Sequence, residues 1–296
     1  MKTCTVVMFP GQGAQFQGMG HNLFDKYEYH MRLAQKVLGY SLVKVCENEP
    51  NALNKTEFTQ PALFVTNILH YLDGLEKHGT EAEIFVGHSL GEYCALFAAG
   101  AFSFETALSI VQERGRCMAL CSEGAMAAVI GLKLERVESL LADSEFPDLT
   151  IANFNSPTQF IISGSQSELS QFRNSVLKAK GIFHPLQVNG AFHSKRMESI
   201  AREFKSFLES VEIYSLKAQV LSNVTADYYP CNNRDQLIDL LVKQLSHPVR
   251  WQQCMEKLYS DKFISSKPIV GFEYGPKPVV GPLAKKILGE HITLMN

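Results

Sequence analysis

The chain lacks any apolar run long enough to span a bilayer. The longest obvious one, Cys94 to Phe102, falls far short of the ~20 residues a membrane helix needs, so no span and no membrane partner are expected. It also lacks an excess of either charge. Lys plus Arg total 28 against 30 Asp plus Glu, and a net charge of -2 offers no general field for nucleic acid. Any anionic ligand must therefore be held by a local cluster. The short apolar stretch after Lys2, Val6 to Phe9, runs at once into Pro10-Gly11 and so has no secretory h-region; it reads as a first strand. Repeats, low-complexity tracts and a Ser/Gly/Pro linker are missing too.

Cysteine is present but gives no disulfide framework. The seven thiols are odd in number and lie far apart, at 4, 46, 94, 117, 121, 231 and 254. Cys117 and Cys121 could share a helix face, yet no second Cys/His pair at zinc spacing follows, so buried inert thiols in a reducing cytoplasm are expected, with no metal site. What the chain does have is an ordinary globular composition, 46% hydrophobic and 20% charged, in 296 residues. That length allows one large domain or two of ~150 residues.

The order of elements divides it. A strand, Thr5 to Phe9, leads into a Gly-rich turn, and Ile84-Phe85-Val86 leads through Gly87 into a helix over Leu90 to Ala99, as in a parallel α/β sheet. Between Gly124 and Ala191 the pattern becomes β-α-β-β-α-β. Strands are expected at Ala125–Leu132, Leu149–Asn153, Gln159–Ser163 and Phe183–Val188, with helices at Leu134–Ala142 and Glu168–Lys178. This is the order of a ferredoxin-like module, whose ends lie close enough for insertion into a larger domain. The remainder returns to helices, one of them Met197–Leu208, with short strands at Val220–Asn223 and Val270–Glu273 that should complete the first sheet.

Gly87-His88-Ser89-Leu90-Gly91 has the G-x-S-x-G form in the strand-turn-helix context that gives it meaning. Flanking glycines let the turn close without Cβ clashes, and a helix N-terminus supplies free N–H groups to an oxyanion, which makes Ser89 a candidate nucleophile. A serine needs a base. His88 should point elsewhere, while His184 and His247 have no partner motif. His193 lies in Asn189–Ser194, where a strand ends and a helix begins, but residues alone leave it open whether it is a base or a plain structural histidine. In the helix Glu105–Cys121, Ala107, Ile110, Val111, Met118 and Cys121 form an apolar stripe, and Arg114 falls within it. A buried guanidinium either meets a core carboxylate or waits for an anionic ligand.

Together these segments resemble the malonyl-CoA:acyl-carrier-protein transacylases, including the acyltransferases that serve fatty-acid and polyketide synthases. The resemblance runs nearly end to end, through Phe9–Gln15, Thr59–Ala62, Gly87–Glu92, Arg114-Gly115, Gly124–Ala128, Asn153–Pro157 and Gly190–Ser194. It implies an α/β-hydrolase-like large subdomain with a parallel sheet, residues 1–123 and 192–296, and an inserted ferredoxin-like subdomain, residues 124–191. It implies Ser89 as nucleophile, His193 as base oriented by the main-chain carbonyl of Gln244, and an oxyanion hole from the N–H groups of Gln12 and Leu90. Arg114 would clamp the malonyl carboxylate, and Gln60, Asn155, Phe192 and Met118 would line the substrate pocket, Phe192 filling the space a methyl branch on the substrate would need. One departure is Gly275-Pro276-Lys277-Pro278, where relatives commonly have a second glycine.

The implied reaction is ping-pong transfer of malonyl from malonyl-CoA to a phosphopantetheinylated acyl carrier protein, with no bound cofactor, in a cytoplasmic, monomeric enzyme acting in trans. Lys195, Arg196, Arg202 and Lys205 could form a positive rim for an acidic carrier or simply a solvated helix face. The rival readings are an acyl hydrolase of the same fold that clears carriers, a lipase-like hydrolase, whose histidine should come late, and a non-catalytic carrier-docking protein.

Overall fold

A computed structural model describes residues 3–49, 51–79, 81–121, 123–142, 146–188, 190–261, 264 and 267–295. Lys2 and Asn189, both used above, lie outside the described residues. The strands are β1 Cys4–Phe9, β2 Ile84–Gly87, β3 Ala125–Ile130, β4 Thr150–Ser156, β5 Gln159–Gly164, β6 Ile182–Pro185, β7 Gln219–Leu221, β8 Ile269–Glu273 and β9 Ile292–Met295. They form two sheets. One is parallel throughout, in the order β7-β2-β1-β8-β9; the other is antiparallel, in the order β4-β5-β3-β6. Its two middle strands are the third and first of the module and its edges the second and fourth, which is the ferredoxin-like arrangement.

The parallel strands are apolar at almost every position, as strands covered on both faces must be. Val6, Val7, Met8 and Phe9 are all buried, and β2 is buried along its whole length. In β3 the period of two instead separates two environments. Ala125, Ala127 and Val129 pack with Val137 and Phe172 in a core of their own, while Met126 and Ala128 face the main body. The segment after Pro248 sews the sheets together: Val249 N–H donates to Ala152 O (2.8 Å) and Phe154 N–H donates to Val249 O (2.9 Å). An edge strand is thereby paired, and the antiparallel sheet is held over the C-terminal ends of β1 and β2.

The differences from expectation have local causes. The last strand of the module ends at Pro185: Leu186 N–H still donates to Met126 O (2.9 Å), but the chain then turns, Val188 N–H donating to Leu186 O (3.0 Å), and continues as cavity wall. β7 ends at Leu221, and Asn223 just beyond it turns its side chain to the turn that carries Ser89, as given below. Helix Gly91–Ala98 starts one residue later than expected, with Leu90 as its cap, and Lys195–Met197 forms a 3-10 turn before helix Glu198–Ser210. Several elements lie outside the expected set, among them every helix between β1 and β2, from His21–Phe24 to Thr56–His78, and β9. Helix Thr56–His78 contains Pro61, a residue that argues against a helix interior, and β9 sits at the sheet edge with only Ile292 buried.

The elbow between β2 and helix Gly91–Ala98 requires its glycines for space. A Cβ on Gly87 would lie 1.9 Å from Gly91 C, and one on Gly91 would lie 2.1 Å from Phe9 O, both backbone atoms that cannot rotate aside. Gly87→Ala should therefore destabilise by more than ~2 kcal/mol and lower the thermal midpoint by at least about 5 °C, measured by circular dichroism; an unchanged midpoint would contradict this packing.

Candidate active site

Ser89 sits where the parallel sheet is expected to bind ligands, outside the carboxyl ends of adjacent strands. Its φ of 52° places a non-glycine residue in the left-handed region, a strained conformation that surrounding bonds must hold. Asn223 supplies them. Its Oδ1 accepts from Ser89 N–H (2.7 Å) and its Nδ2 donates to Gly87 O (2.8 Å), pinning both sides of the turn. The turn exposes Ser89 Oγ to a cavity of ~700 Å³ between the two sheets, walled by Met126, Ala128, Ile130 and Ile161 on the side of the antiparallel sheet. Gln12 and Leu90 line the same cavity, and among the described residues neither backbone N–H has a hydrogen-bond partner. Two free donors beside a nucleophile are what an oxyanion needs.

His193 is brought to Ser89 by the C-terminal end of helix Arg234–Ser246. The His193 N–H donates to Leu245 O (3.1 Å), and His193 Nδ1 donates to Gln244 O (2.8 Å). Gln244 O is available for a reason visible in the sequence. Four residues on stands Pro248, which has no N–H to close the helical bond. Because a carbonyl can only accept, the proton must be on Nδ1, which leaves the Nε2 lone pair to accept from Ser89 O–H (2.8 Å). His193 is 4% exposed, and burial, reinforced by the charge of Arg114, lowers its pKa from 6.5 to about 3 despite the bond to Gln244. His88 is directed elsewhere. Its Nε2 pairs with Asn155 Oδ1 (2.8 Å) and its ring lies 5.8 Å from that of Trp251.

Arg114 is buried and meets no acid: among the described residues it forms no salt bridge. Its partners are neutral oxygens. Nη1 donates to Gln60 Oε1 (2.6 Å), and Nη2 donates to Gln244 Oε1 (2.9 Å) and to Ser89 Oγ (3.1 Å). The Tyr93 ring lies 5.2 Å from the guanidinium carbon, and Nε has no partner among the described residues. Burial lowers the Arg114 pKa, but guanidinium stays charged, so the site contains a cation without an ion-pair partner among the described residues, touching the Ser89 hydroxyl. Hydrogen bonds to a charged group contribute ~1.5–3 kcal/mol each, the same order as the several kcal/mol its desolvation costs.

The other expected wall residues divide. Arg114, Met118, Asn155 and Phe192 line the cavity; Gln60 does not. It stands behind the wall, 1% exposed, holding Arg114 through Oε1 and donating through Nε2 to Met118 Sδ (3.1 Å), so its place is that of a support. The basic rim is partly neutralised, since Arg196 pairs with Asp148 (2.6 Å) and Lys205 with Asp239 (3.4 Å). Just after Gly275–Pro278, Val279 and Val280 line the cavity and Glu273 accepts from the N–H groups of Val279, Val280 and Gly281. Sequence reasoning missed Asn223 and left Glu92 without a task. Polar residues immediately after a short apolar strand were the available signal for Asn223.

The depressed basicity of His193 has a definite sign. An ordinary histidine loses its base form as pH falls below 6.5, whereas His193 keeps its lone pair far below that value. Reaction of Ser89 with a fluorophosphonate should thus be flat between about pH 8 and about pH 5; a tenfold loss per pH unit starting near 6.5 would contradict the assignment. The unfolded chain takes up this proton and the folded one does not, so this group also makes the fold less stable as pH drops below 6.5.

Residues 6–286 match the acyl transferase domain family. The chain is 41% identical over 287 residues to the polyketide biosynthesis malonyl CoA-acyl carrier protein transacylase BaeC of Bacillus velezensis, covering 96% of each. It is also 41% identical over 287 residues to the polyketide biosynthesis protein PksE of Bacillus subtilis, where 96% of this chain spans only 36% of the relative. Among solved structures, the malonyl CoA-acyl carrier protein transacylase of Burkholderia pseudomallei superposes with a TM-score of 0.93 at 36% identity, covering 97% of this chain and 98% of that one. With the site geometry and a match over nearly its whole length, the chain belongs to the acyl transferase domain family.

Proposed function

We propose that the chain transfers a malonyl group from coenzyme A to the phosphopantetheine thiol of an acyl carrier protein, through an ester on Ser89, in fatty-acid or polyketide synthesis. The observation that carries this reading is Arg114, a buried cation without an acid, 3.1 Å from the nucleophile. A carboxylate at the far end of a three-carbon acyl group would find there the one charge the site leaves unbalanced. A hydrolase for acetyl or longer apolar groups gains nothing from it.

In the first half-reaction Ser89 Oγ attacks the thioester carbonyl while its proton passes to His193 Nε2. The imidazolium so formed points Nδ1–H at the carbonyl end of helix Arg234–Ser246, where the helix dipole favours positive charge. The N–H groups of Gln12 and Leu90 receive the oxyanion. Coenzyme A then departs as a thiol, taking the proton from His193, and the malonyl ester remains. In the second half the carrier thiol gives its proton to His193 and its sulfur attacks the ester; Ser89 regains its proton as the thioester leaves. Arg114 exchanges Ser89 Oγ for the substrate carboxylate. That neutralisation removes one of the influences that suppress His193, so the correct substrate strengthens the base that attacks it. The seven free thiols support a cytoplasmic setting.

Arg114→Ala tests the clamp. Loss of a charge-assisted bond of ~1.5–3 kcal/mol should lower kcat/KM for malonyl-CoA about ten- to hundredfold, with a much smaller loss for acetyl-CoA. Equal losses for the two thioesters would make Arg114 a structural residue.

A further inference from the structure

One buried acid has no part in the chemistry above. Glu92 lies on the first turn of helix Gly91–Ala98, with no exposed surface. Tyr229 O–H and Asn223 N–H (3.2 Å) donate to its Oε1, and Gln244 Nε2 donates to its Oε2 (2.6 Å). Burial pushes this carboxyl up to about 7, and these bonds, with the charge of Arg114 nearby, oppose the shift.

The consequence falls on Gln244. Ser89 O (3.0 Å) can only accept, and so can Glu92 in its carboxylate form, which it holds above about pH 7, so the amide turns its NH2 toward both. Its oxygen is then forced toward Arg114 Nη2, which donates to it at 2.9 Å. Turned the other way, the amide would set NH2 against guanidinium and oxygen against carboxylate, two repulsive contacts in a dry site. The interposed amide also keeps Glu92 from touching Arg114. A direct ion pair would satisfy the cation and leave nothing for a substrate carboxylate.

We propose that Glu92 is a positioning residue: it sets the direction of the Gln244 side-chain amide and, through it, aims Arg114 at the Ser89 hydroxyl while leaving that cation open to substrate. This rests on the reading of Arg114 as the carboxylate clamp. The test compares kcat and KM for malonyl-CoA and acetyl-CoA in the wild type, E92Q, Q244M, the E92Q/Q244M double variant and R114A. Glutamine at 92 can offer either end to Gln244, so E92Q should lower the malonyl-to-acetyl preference about tenfold. Q244M keeps the backbone carbonyl for His193 but deletes the amide, and should lower the preference similarly. Because Glu92 acts through that amide, adding E92Q to Q244M should change the preference by less than about twofold.

The proposal is overturned if E92Q lowers both substrates in equal proportion, leaves both unchanged, or multiplies in full with Q244M. Should E92Q fail to fold, E92D decides in its place: the shorter acid withdraws from the Gln244 amide, so a lowered preference supports the relay, and a proportional loss of both activities overturns it. R114A separates the two levels. If its preference equals that of the wild type, the clamp reading fails and takes this inference with it. If R114A abolishes the preference and E92Q leaves it unchanged, only the role of Glu92 is wrong.

Discussion

A single uncompensated charge organises this site. Arg114 is held among neutral oxygens, and every neighbouring feature can be read as a condition for keeping it charged, buried and aimed. Gln60 fixes one nitrogen from behind the cavity wall, Gln244 fixes the other, and Tyr93 lies alongside the guanidinium. The third contact, to Ser89 Oγ, is the exchangeable one. Such a site is costly when empty and gains most from a ligand that brings its own negative charge, so in the proposed transfer binding selectivity and reactivity arise from the same cation.

The second constraint is mechanical. Ser89 occupies a backbone conformation that a serine does not adopt by choice, and the fold holds it there from three directions. Gly87 and Gly91 allow β1, β2 and the following helix to approach within contact distances a Cβ would forbid. Asn223, arriving from the end of β7, ties the turn on both sides. The antiparallel sheet closes the cavity from above, fastened by the strand-like pairing of Val249 with β4. Helix Arg234–Ser246 contributes by stopping: Pro248 frees the Gln244 carbonyl that orients His193, and Gln244 also uses its side chain on Arg114, Ser89 and Glu92.

Legibility in the sequence followed the range of the interactions. Elements defined by local period were readable, among them β1, β2 and the β-α-β-β-α-β module, because side-chain alternation and helical stripes are short-range patterns. Ser89 was readable because strand, turn and helix adjoin it in the chain, and Arg114 because a charge in an apolar stripe violates its surroundings. His193 was not readable from residues alone. Its partners lie 104 and 51 positions away, and only the resemblance to known acyltransferases connected them. Gln60 was placed at the cavity when it stands behind it, since no pattern in sequence separates a wall residue from its support. Helix Thr56–His78 and β9 escaped for the opposite reason: tertiary packing overrides Pro61 in the first and weak burial in the second.

The claim that one buried cation selects the cargo is tested most directly by competition on the intact protein. Brief exposure to equal concentrations of malonyl-CoA and acetyl-CoA, followed by intact mass measurement and peptide mapping, should find the malonyl ester on Ser89 as the dominant adduct. An acetyl ester in equal or greater amount would contradict the account.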